Sequence, residues 1–599
     1  MTDAAFVMPL VFLFCGMKGA QTLLGDGDTG WHLRTGEWIL AHGRVPDRDI
    51  FSFTRSGQPW FAWEWLWDVL FGWLHLHAGM AAVVLASSLV LALTFALLFR
   101  VARRSSDALV ALALTLVAAA GSAGHWLARP HLFTMLFTVI FYSILDRSGE
   151  RTSRESGVPR RLWLLPPLMV LWTNLHGGFF VGILLLVAYA AGQFAVLLRE
   201  TGIDERRRAL RRGRRYLFTA AACGVATLVN PYGYRLHAHI FAYLADGFYR
   251  GNIMEFQSLN FQSPQARYFE ILLAAGAAAA FVHLRRGRLV WPLLFAAWAH
   301  LALYSARNVE IFVLLAAAPA AEMVSEGLRK APAMRLAGWL RRGLDGLAFF
   351  TREWNALDGG PRWHALSAAA ALALAALLYA PQPPSACRAA YDPKSFPVAA
   401  AAKLEQAGLF GGVFTEDLWG GYLIYREYPR GRVFIDGRSD FYGAEFSGKY
   451  MKAMGVQAGW EQYLSRYGVE TVLLPPDAPL AGALKQSSAW HLVYDDGVAL
   501  IFRSVRAAPL PLQQASADSS SGGAQSVIVY RKDKQDDDVL GTILERRSGA
   551  RPDRIHPHAG LRGAGFAGSV YERRRQHQCH LVEHRFAIEQ RGGILASGL

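Results

Sequence analysis

At 599 residues, with 53% hydrophobic residues, 18 Trp and 35 Phe, the chain is too apolar for an ordinary soluble fold and reads as a polytopic membrane protein. The formal charge of +15 would suit nucleic acid, but the arginines stand in short clusters between apolar runs, which is a topology signal and speaks against a nucleic-acid partner. Four cysteines lie far apart, with no C-x-x-C and no metal-ligand spacing.

The first apolar run, Ala5–Leu24, is long enough to cross a bilayer once Lys18 is tolerated. It lacks a basic leader and is expected to remain uncleaved. It runs into GDGDTGWHLRTGEWILAHGRVPDRDIFSFT, Gly25 to Thr54, read as the start of an acidic outer loop over residues 25–60. Two D-x-D pairs, Asp26/Asp28 and Asp47/Asp49, flank His32, Arg34 and Glu37. Ionisable groups concentrated at a membrane surface are costly unless they serve a site. Asp47 and Asp49 also suit an ordinary turn or helix cap. Next comes WFAWEWLWDVLFGWLHLH, Trp60 to His77. Read as a helix, it gathers Glu64, Asp68 and His75 within roughly 40° of one another. The surrounding tryptophans predict a partly re-entrant interfacial helix.

The further spans expected are Met80–Phe99, Ala108–Ala123, Leu132–Leu145, Leu162–Asn174, Phe179–Leu198, Tyr216–Asn230, Phe269–Leu284, Leu289–Tyr304, Val309–Val324 and His364–Ala380, about eleven in all. Basic clusters at Arg100–Arg104, Arg147–Arg161, Arg206–Arg215, Arg285–Arg288 and Arg329–Arg352 fall in alternate connections, read as loops. The positive-inside rule puts these in the cytoplasm and the acidic loop outside. An odd number of spans then places everything after Ala380 outside too. The outer junctions carry polar residues at span ends: GHWLARPHLF with His125, Arg129 and His131, WTNLHGGFF with Asn174 and His176, NPYGYRLHAH, NIMEFQS with Glu255, and SARNVE with Arg307 and Glu310. A polar cavity opening to the outer leaflet is the expectation.

From 385 to 506 the composition becomes that of a small α/β domain. Helices are expected at Pro397–Ala407 and Trp460–Tyr467. Strands are expected at Gly412–Thr415, Arg432–Ile435, Val469–Leu474, His491–Tyr494 and Val498–Phe502. Asp436, Arg438 and Asp440 form its polar cluster, read as a salt-bridged turn. Residues 507–599 are expected to be a disordered tail. The domain reading is thus a transmembrane bundle over 1–380, an extracytoplasmic domain over 385–506, and the tail.

In layout, roughly from Ala5 to Arg506, the chain resembles the GT-C glycosyltransferases. In residues the likeness is specific at GDGDTGWHLRTGEW. The set of that motif with LARPHLF, NLHGGFF, VNPYGYRLH and VFIDGRSDFY resembles bacterial GT-C-like membrane proteins of unassigned substrate. The resemblance implies transfer of a sugar from a polyprenyl-phosphate carrier to an acceptor glycan, lipid or protein at the outer face of the bacterial inner membrane. It also implies that the first-loop carboxylate, Asp28 with Asp26 as second choice, is the base or orients the acceptor. Independently, the chemistry requires a carboxylate for the acceptor proton and cationic or hydrogen-bonding groups on the departing phosphate. At headgroup depth Arg129, His131, His176 and Arg307 suit the phosphate, and His32, Arg34 and Glu64 complete the candidate binding set. A divalent cation, Mg²⁺ or Mn²⁺, bridging Asp26 and Asp28 is an option rather than a requirement. A flippase of lipid-linked glycans and a non-catalytic scaffold are the alternatives; no internal repeat favours the first.

Overall fold

The computed structural model describes residues 1–150, 160–199, 201–330, 338–357, 363–409 and 411–507. The anticipated tail and part of the Arg147–Arg161 cluster lie outside the described residues. The chain opens with helix α1, Thr2–Val11, which continues as a short π-helical turn, Phe12–Gly16. It breaks at Met17–Gly19 and resumes as α2, Ala20–Leu23. The first span is therefore not one helix. Gly19, at φ 58°, makes the break, and its Cα lies so close to the Ala386 carbonyl that a Cβ would stand 2.2 Å away.

Helix α3, Asp28–His42, occupies the stretch expected as a loop. Its interior, TGWHLRTGEWILAH, supplies Trp31, Leu33, Thr35 and Ile39 to the core, and Gly43 closes it in the left-handed conformation at φ 67°. Helix α4, Trp65–Ala102, joins the interfacial segment to the next span across a kink at Gly79, φ 69°. Then follow α5, Ala108–Ser122; α6, His131–Glu150; α7, Leu165–Leu175; α8, Phe180–Arg199; and α9, Ile203–Ala226. Short helices α10, Tyr234–Ala245, and α11, Gly247–Asn252, precede α12, Ala266–Arg285, α13, Val290–Tyr304, and α14, Val309–Lys330. Helices α15, Gly338–Leu357, and α16, Ala365–Leu378, complete the bundle.

Among the described residues, five helical segments are long and apolar enough to cross a membrane: Trp65–Ala102, Ala108–His125, Gly177–Arg199, Ala266–Arg285 and Ala306–Lys330. Thr2–Gly16, Val290–Tyr304 and Ala365–Leu378 are shorter apolar helices. Of the remaining anticipated spans, α7 has only 11 residues and the first half of α9 is arginine-rich. The basic stretches expected as loops are largely helical: Arg206–Arg215 lies inside α9, and α15 holds much of Arg329–Arg352. Arginine is a good helix former, so a basic connection need not be irregular.

The segment after Ala380 comprises α17, Val398–Gln406; β1, Val413–Thr415; α18, Asp417–Glu427; α19, Ser439–Met454; α20, Trp460–Arg466; β2, Thr471–Leu474; α21, Pro479–Gln486; β3, Trp490–Asp495; and β4, Leu500–Ser504. The sheet runs β1-β2-β4-β3, with β1 parallel to β2 and the other pairs antiparallel. Arg432–Ile435 is not a ladder strand. Val433 makes single bridges to Val413 on one side and Ser52 on the other, tying the sheet edge to the loop that follows α3. The described residues form one compact unit, so this segment packs as part of the same body as the bundle.

Candidate functional site

Helix α3 is held between two partners at glycine contacts. A Cβ on Gly27 would stand 1.9 Å from the Leu418 carbonyl oxygen, and one on Gly30 2.4 Å from that of Gly421. On the other side a Cβ on Gly36 would stand 1.8 Å from the Asp68 carbonyl oxygen. The glycines of GDGDTGWHLRTGEW thus let α18 and α4 approach the α3 backbone. Asp28 opens the helix, where the N-terminal backbone dipoles favour a carboxylate. Its own N–H donates to Asp26 Oδ1 at 2.9 Å.

Arg129 closes over both acids. Its two terminal nitrogens reach Asp26 Oδ2 at 2.6 Å and Asp28 Oδ2 at 2.9 Å, and Glu255 stands 3.7 Å away. The loop that carries it is pinned to the same helices: Ala128 N–H donates to the Leu23 carbonyl at 2.7 Å, and Thr29 Oγ1 donates to the Ala128 carbonyl at 3.2 Å. Burial opposes the charge of Arg129, but Asp26, Asp28 and Glu255 outweigh it and hold the guanidinium pKa above its ordinary value. Burial and the Asp26 carboxylate push the Asp28 carboxyl up to about 8, with Arg129 opposing.

Beyond Arg129 opens a cavity of about 120 Å³. Arg129, Arg307, His131, His176, Glu64 and Glu255 all line it. Asp26 and Asp28 do not; Arg129 stands between them and the space. Burial would raise Glu255, but Arg129 and Arg307 bring its carboxyl down to about 2, so it is an anion at neutral pH. Arg307 lies over the Phe256 ring at 4.7 Å. Its turn is tied to the Glu255 segment by Ala306 N–H to the Gln257 carbonyl at 2.8 Å and Ser305 Oγ to the Glu255 carbonyl at 2.7 Å.

A row of buried polar groups leads inward from the cavity wall. Thr134 Oγ1 is 2.7 Å from His176 Nδ1, and Gly178 N–H donates to the same nitrogen at 3.1 Å. Nδ1 is therefore the acceptor, and the ring proton sits on Nε2, which faces Glu64 Oε1 at 3.4 Å. The other Glu64 oxygen stands 3.5 Å from His32 Nε2, and His32 Nδ1 shares a 2.6 Å hydrogen bond with Asp68 Oδ1. Burial pushes the Glu64 carboxyl up to about 8, with Arg129 opposing. Burial, reinforced by nearby cationic groups, holds His32 and His176 well below the ordinary imidazole value. His32 is fully buried, so it backs Glu64 rather than facing the cavity.

Arg34, expected in the binding set, lies elsewhere. It donates to the Tyr425 carbonyl through Nε at 2.9 Å and pairs with Glu37 at 2.6 Å, and Glu37 in turn holds His75 at 2.7 Å. Being three residues apart on one helix, Arg34 and Glu37 share a face turned to α18, away from the cavity. The Glu64, Asp68 and His75 stripe consequently splits between two clusters. The DGRSD cluster is more than a local turn. Arg438, almost fully buried, reaches Asp436 and, at 2.8 Å, Asp49 of the loop that follows α3, with its guanidinium 4.5 Å over Trp60. Glu255 and Glu310 are cavity groups outside the expected binding set; their sequence signal was an acidic residue at the end of an apolar run, in NIMEFQS and SARNVE respectively.

The residues do not fit a divalent ion bridging Asp26 and Asp28. The Arg129 guanidinium occupies the place between the two carboxylates that such an ion would take. Asp28 Oδ1 also lies against Gly437, where even a Cβ would come within 1.9 Å. Among the described residues no three His, Cys, Asp or Glu side chains are grouped to hold a metal.

No protein-family model and no curated protein matches the sequence. Solved structures do match. The archaeal oligosaccharyltransferase AglB from Archaeoglobus fulgidus, in complex with an inhibitory peptide and a dolichol-phosphate, aligns with a TM-score of 0.50 at 11% identity, over 85% of this chain and 74% of that one. The A. fulgidus oligosaccharyltransferase in complex with Zn and sulfate gives 0.47 at 12% identity, covering 84% and 73%. ArnT from Cupriavidus metallidurans in the apo state gives 0.44 at 14%, covering 83% and 95%. The likeness to AglB is one of fold alone: a bundle of helices followed by a mixed α/β segment.

Proposed function

We propose that this chain, built on the GT-C fold, is a membrane glycosyltransferase that moves a sugar from a polyprenyl-phosphate donor to an acceptor hydroxyl on the outer face of the bacterial inner membrane. The observation that carries the reading is Arg129, clamped by Asp26 and Asp28 at a cavity that Arg307, His131 and His176 also line. An anionic phosphate entering there meets the guanidiniums of Arg129 and Arg307 and the Nε2–H of His176, the donors that a departing phosphate requires, while His131 Nε2–H is held by the His125 carbonyl.

In the reaction the acceptor oxygen bonds to the anomeric carbon as the bond from that carbon to the phosphate oxygen breaks. The acceptor proton passes to a carboxylate and the phosphate leaves with the bonding pair. Asp28 is the proposed base. Donor phosphate would draw Arg129 toward the cavity and release the Asp28 carboxylate, whose pKa, about 8 with that cation beside it, rises as the cation withdraws and makes Asp28 the stronger proton acceptor. Glu64, a cavity-lining carboxyl of similar pKa, is the second candidate base.

The test is transfer from a supplied polyprenyl-phosphate sugar by purified protein in membranes. Asp28→Asn is expected to lower transfer by about 10² to 10⁴, the usual worth of a general base. Full transfer by both Asp28→Asn and Glu64→Gln would overturn the reading. The absence of transfer with any donor, alongside donor-stimulated lipid flipping, would favour the transporter class.

A further inference from the structure

A second cavity, of about 190 Å³, lies at the opposite end of α7 from His176. Trp163 and Pro166 form one wall, and Arg214, Arg215, Phe218 and Ala222 of α9 form the other. Arg214, Phe218 and Ala222 are spaced by four and make one row along the helix, roughly 12 Å from first to last. The row begins charged and turns apolar. Trp163 and Phe218 meet edge to face at 6.1 Å yet remain 55% and 62% exposed, which leaves two large rings facing the surroundings of the bundle. The helix start that carries this row holds seven arginines in Arg206–Arg215 against the carboxylates of Asp204 and Glu205, one of which pairs with Arg208.

We infer that this groove binds an anionic phospholipid, with its phosphate at Arg214 and Arg215 and an acyl chain against Phe218 and Ala222. The polarity of the groove matches that of a lipid: a cationic end, a tryptophan at the depth where headgroups begin, and an apolar run beyond. Basic pockets between helices on the positively charged side of a membrane protein have the chemistry to select anionic headgroups. A zwitterionic lipid offers the same chain but a phosphate already offset by its own cation. The inference does not depend on the transferase reading, since the groove shares no lining residue with the candidate site.

The test is native mass spectrometry of the full chain in detergent, titrated with phosphatidylglycerol or with phosphatidylcholine of the same chains. Phosphatidylglycerol should be retained in preference. Arg214→Gln with Arg215→Gln should weaken it about thirtyfold, at roughly fivefold per arginine. Ala222→Phe keeps every charge but fills the groove, and it should also release the lipid. Arg206→Gln with Arg212→Gln removes equal charge from other faces of the same helix and should change retention little. Equal loss in the two arginine pairs, or full retention in Ala222→Phe, would overturn the inference. Ala222→Phe decides the matter if the Arg214/Arg215 pair of changes fails to fold.

Discussion

At the residue scale the site turns on how few cations are shared among many carboxyls. Arg129 serves Asp26, Asp28 and Glu255 together, and Glu64 is left with only imidazole neighbours at 3.4 and 3.5 Å. Glu64 is faced by His32 from α3, Asp68 from its own segment, and His176, with Arg129 across the cavity. A base must be ionised, so transfer is expected to climb with pH, reach half its plateau near pH 8 and level off above it. If Asp28 is the base, Glu64→Gln keeps that limb and Asp28→Asn loses it; the reverse outcome assigns the role to Glu64. Stability should move the opposite way. A carboxyl raised by folding keeps its proton after the unfolded chain has lost its own, so Glu64 costs stability as pH rises from the ordinary glutamate range toward 8. Glu64→Gln should flatten that slope in thermal melts at pH 6 and 8, and an unchanged slope would remove Glu64 as its source. Arg438 is the structural counterpart. Arg438→Met leaves Asp49 and Asp436 buried without their cation and should cost about 3–5 kcal/mol, seen as a lowered melting temperature. An unaltered melt would mean the loop that follows α3 is held by other contacts. Lysine should not rescue it, because one ammonium cannot reproduce the forked contacts.

At the element scale the unit that builds the site is α3 between α4 and α18. Its glycines act by closeness of approach rather than by flexibility. Gly36→Ala would drive a methyl into the Asp68 backbone, 1.8 Å from its carbonyl oxygen, and so move the residue that holds His32. It should destabilise the protein by about 1–3 kcal/mol or more. Gly224→Ala in α9 meets nothing within 4 Å and should be neutral or slightly stabilising, since alanine is the better helix former. Comparing the two by denaturation separates packing from helix propensity. Equal effects would show that the α3 contacts can relax.

At the scale of the whole molecule the segment after Ala380 packs behind the acidic helix α3 rather than hanging as an appendage. Gly437 abuts Asp28, Tyr425 receives Arg34, and His239 of α10 meets Asp440 at 2.9 Å. The proposed topology puts that segment outside the cytoplasm with the acidic helix. An alkaline phosphatase reporter fused after Arg506 should be active, and a stably expressed but silent fusion would reverse the orientation. Removing the segment after Ala380 should disable the site as well as shorten the chain, because α18 supplies one side of the α3 packing.

Much of this was legible in the sequence, because bilayer length and helical periodicity are local properties. The apolar runs that became α5, α8, α12, α13, α14 and α16 needed only composition and length. The gathering of Arg129, His131, His176 and Arg307 at one cavity could be anticipated from their places at span ends, since helix ends on one side of a membrane have little choice of depth. Three things required the tertiary structure. GDGDTGWHLRTGEW carries enough glycine to look like a loop, and only the backbones of Leu418, Gly421 and Asp68 pressed against it explain those glycines within a helix. Arg34 and His32 looked like cavity residues by composition, but their direction depends on which helix lies beside each face of α3. The cation between Asp26 and Asp28 proved to be an arginine from a loop about a hundred positions later, a pairing that no local pattern encodes because it is fixed by the fold's long-range contacts.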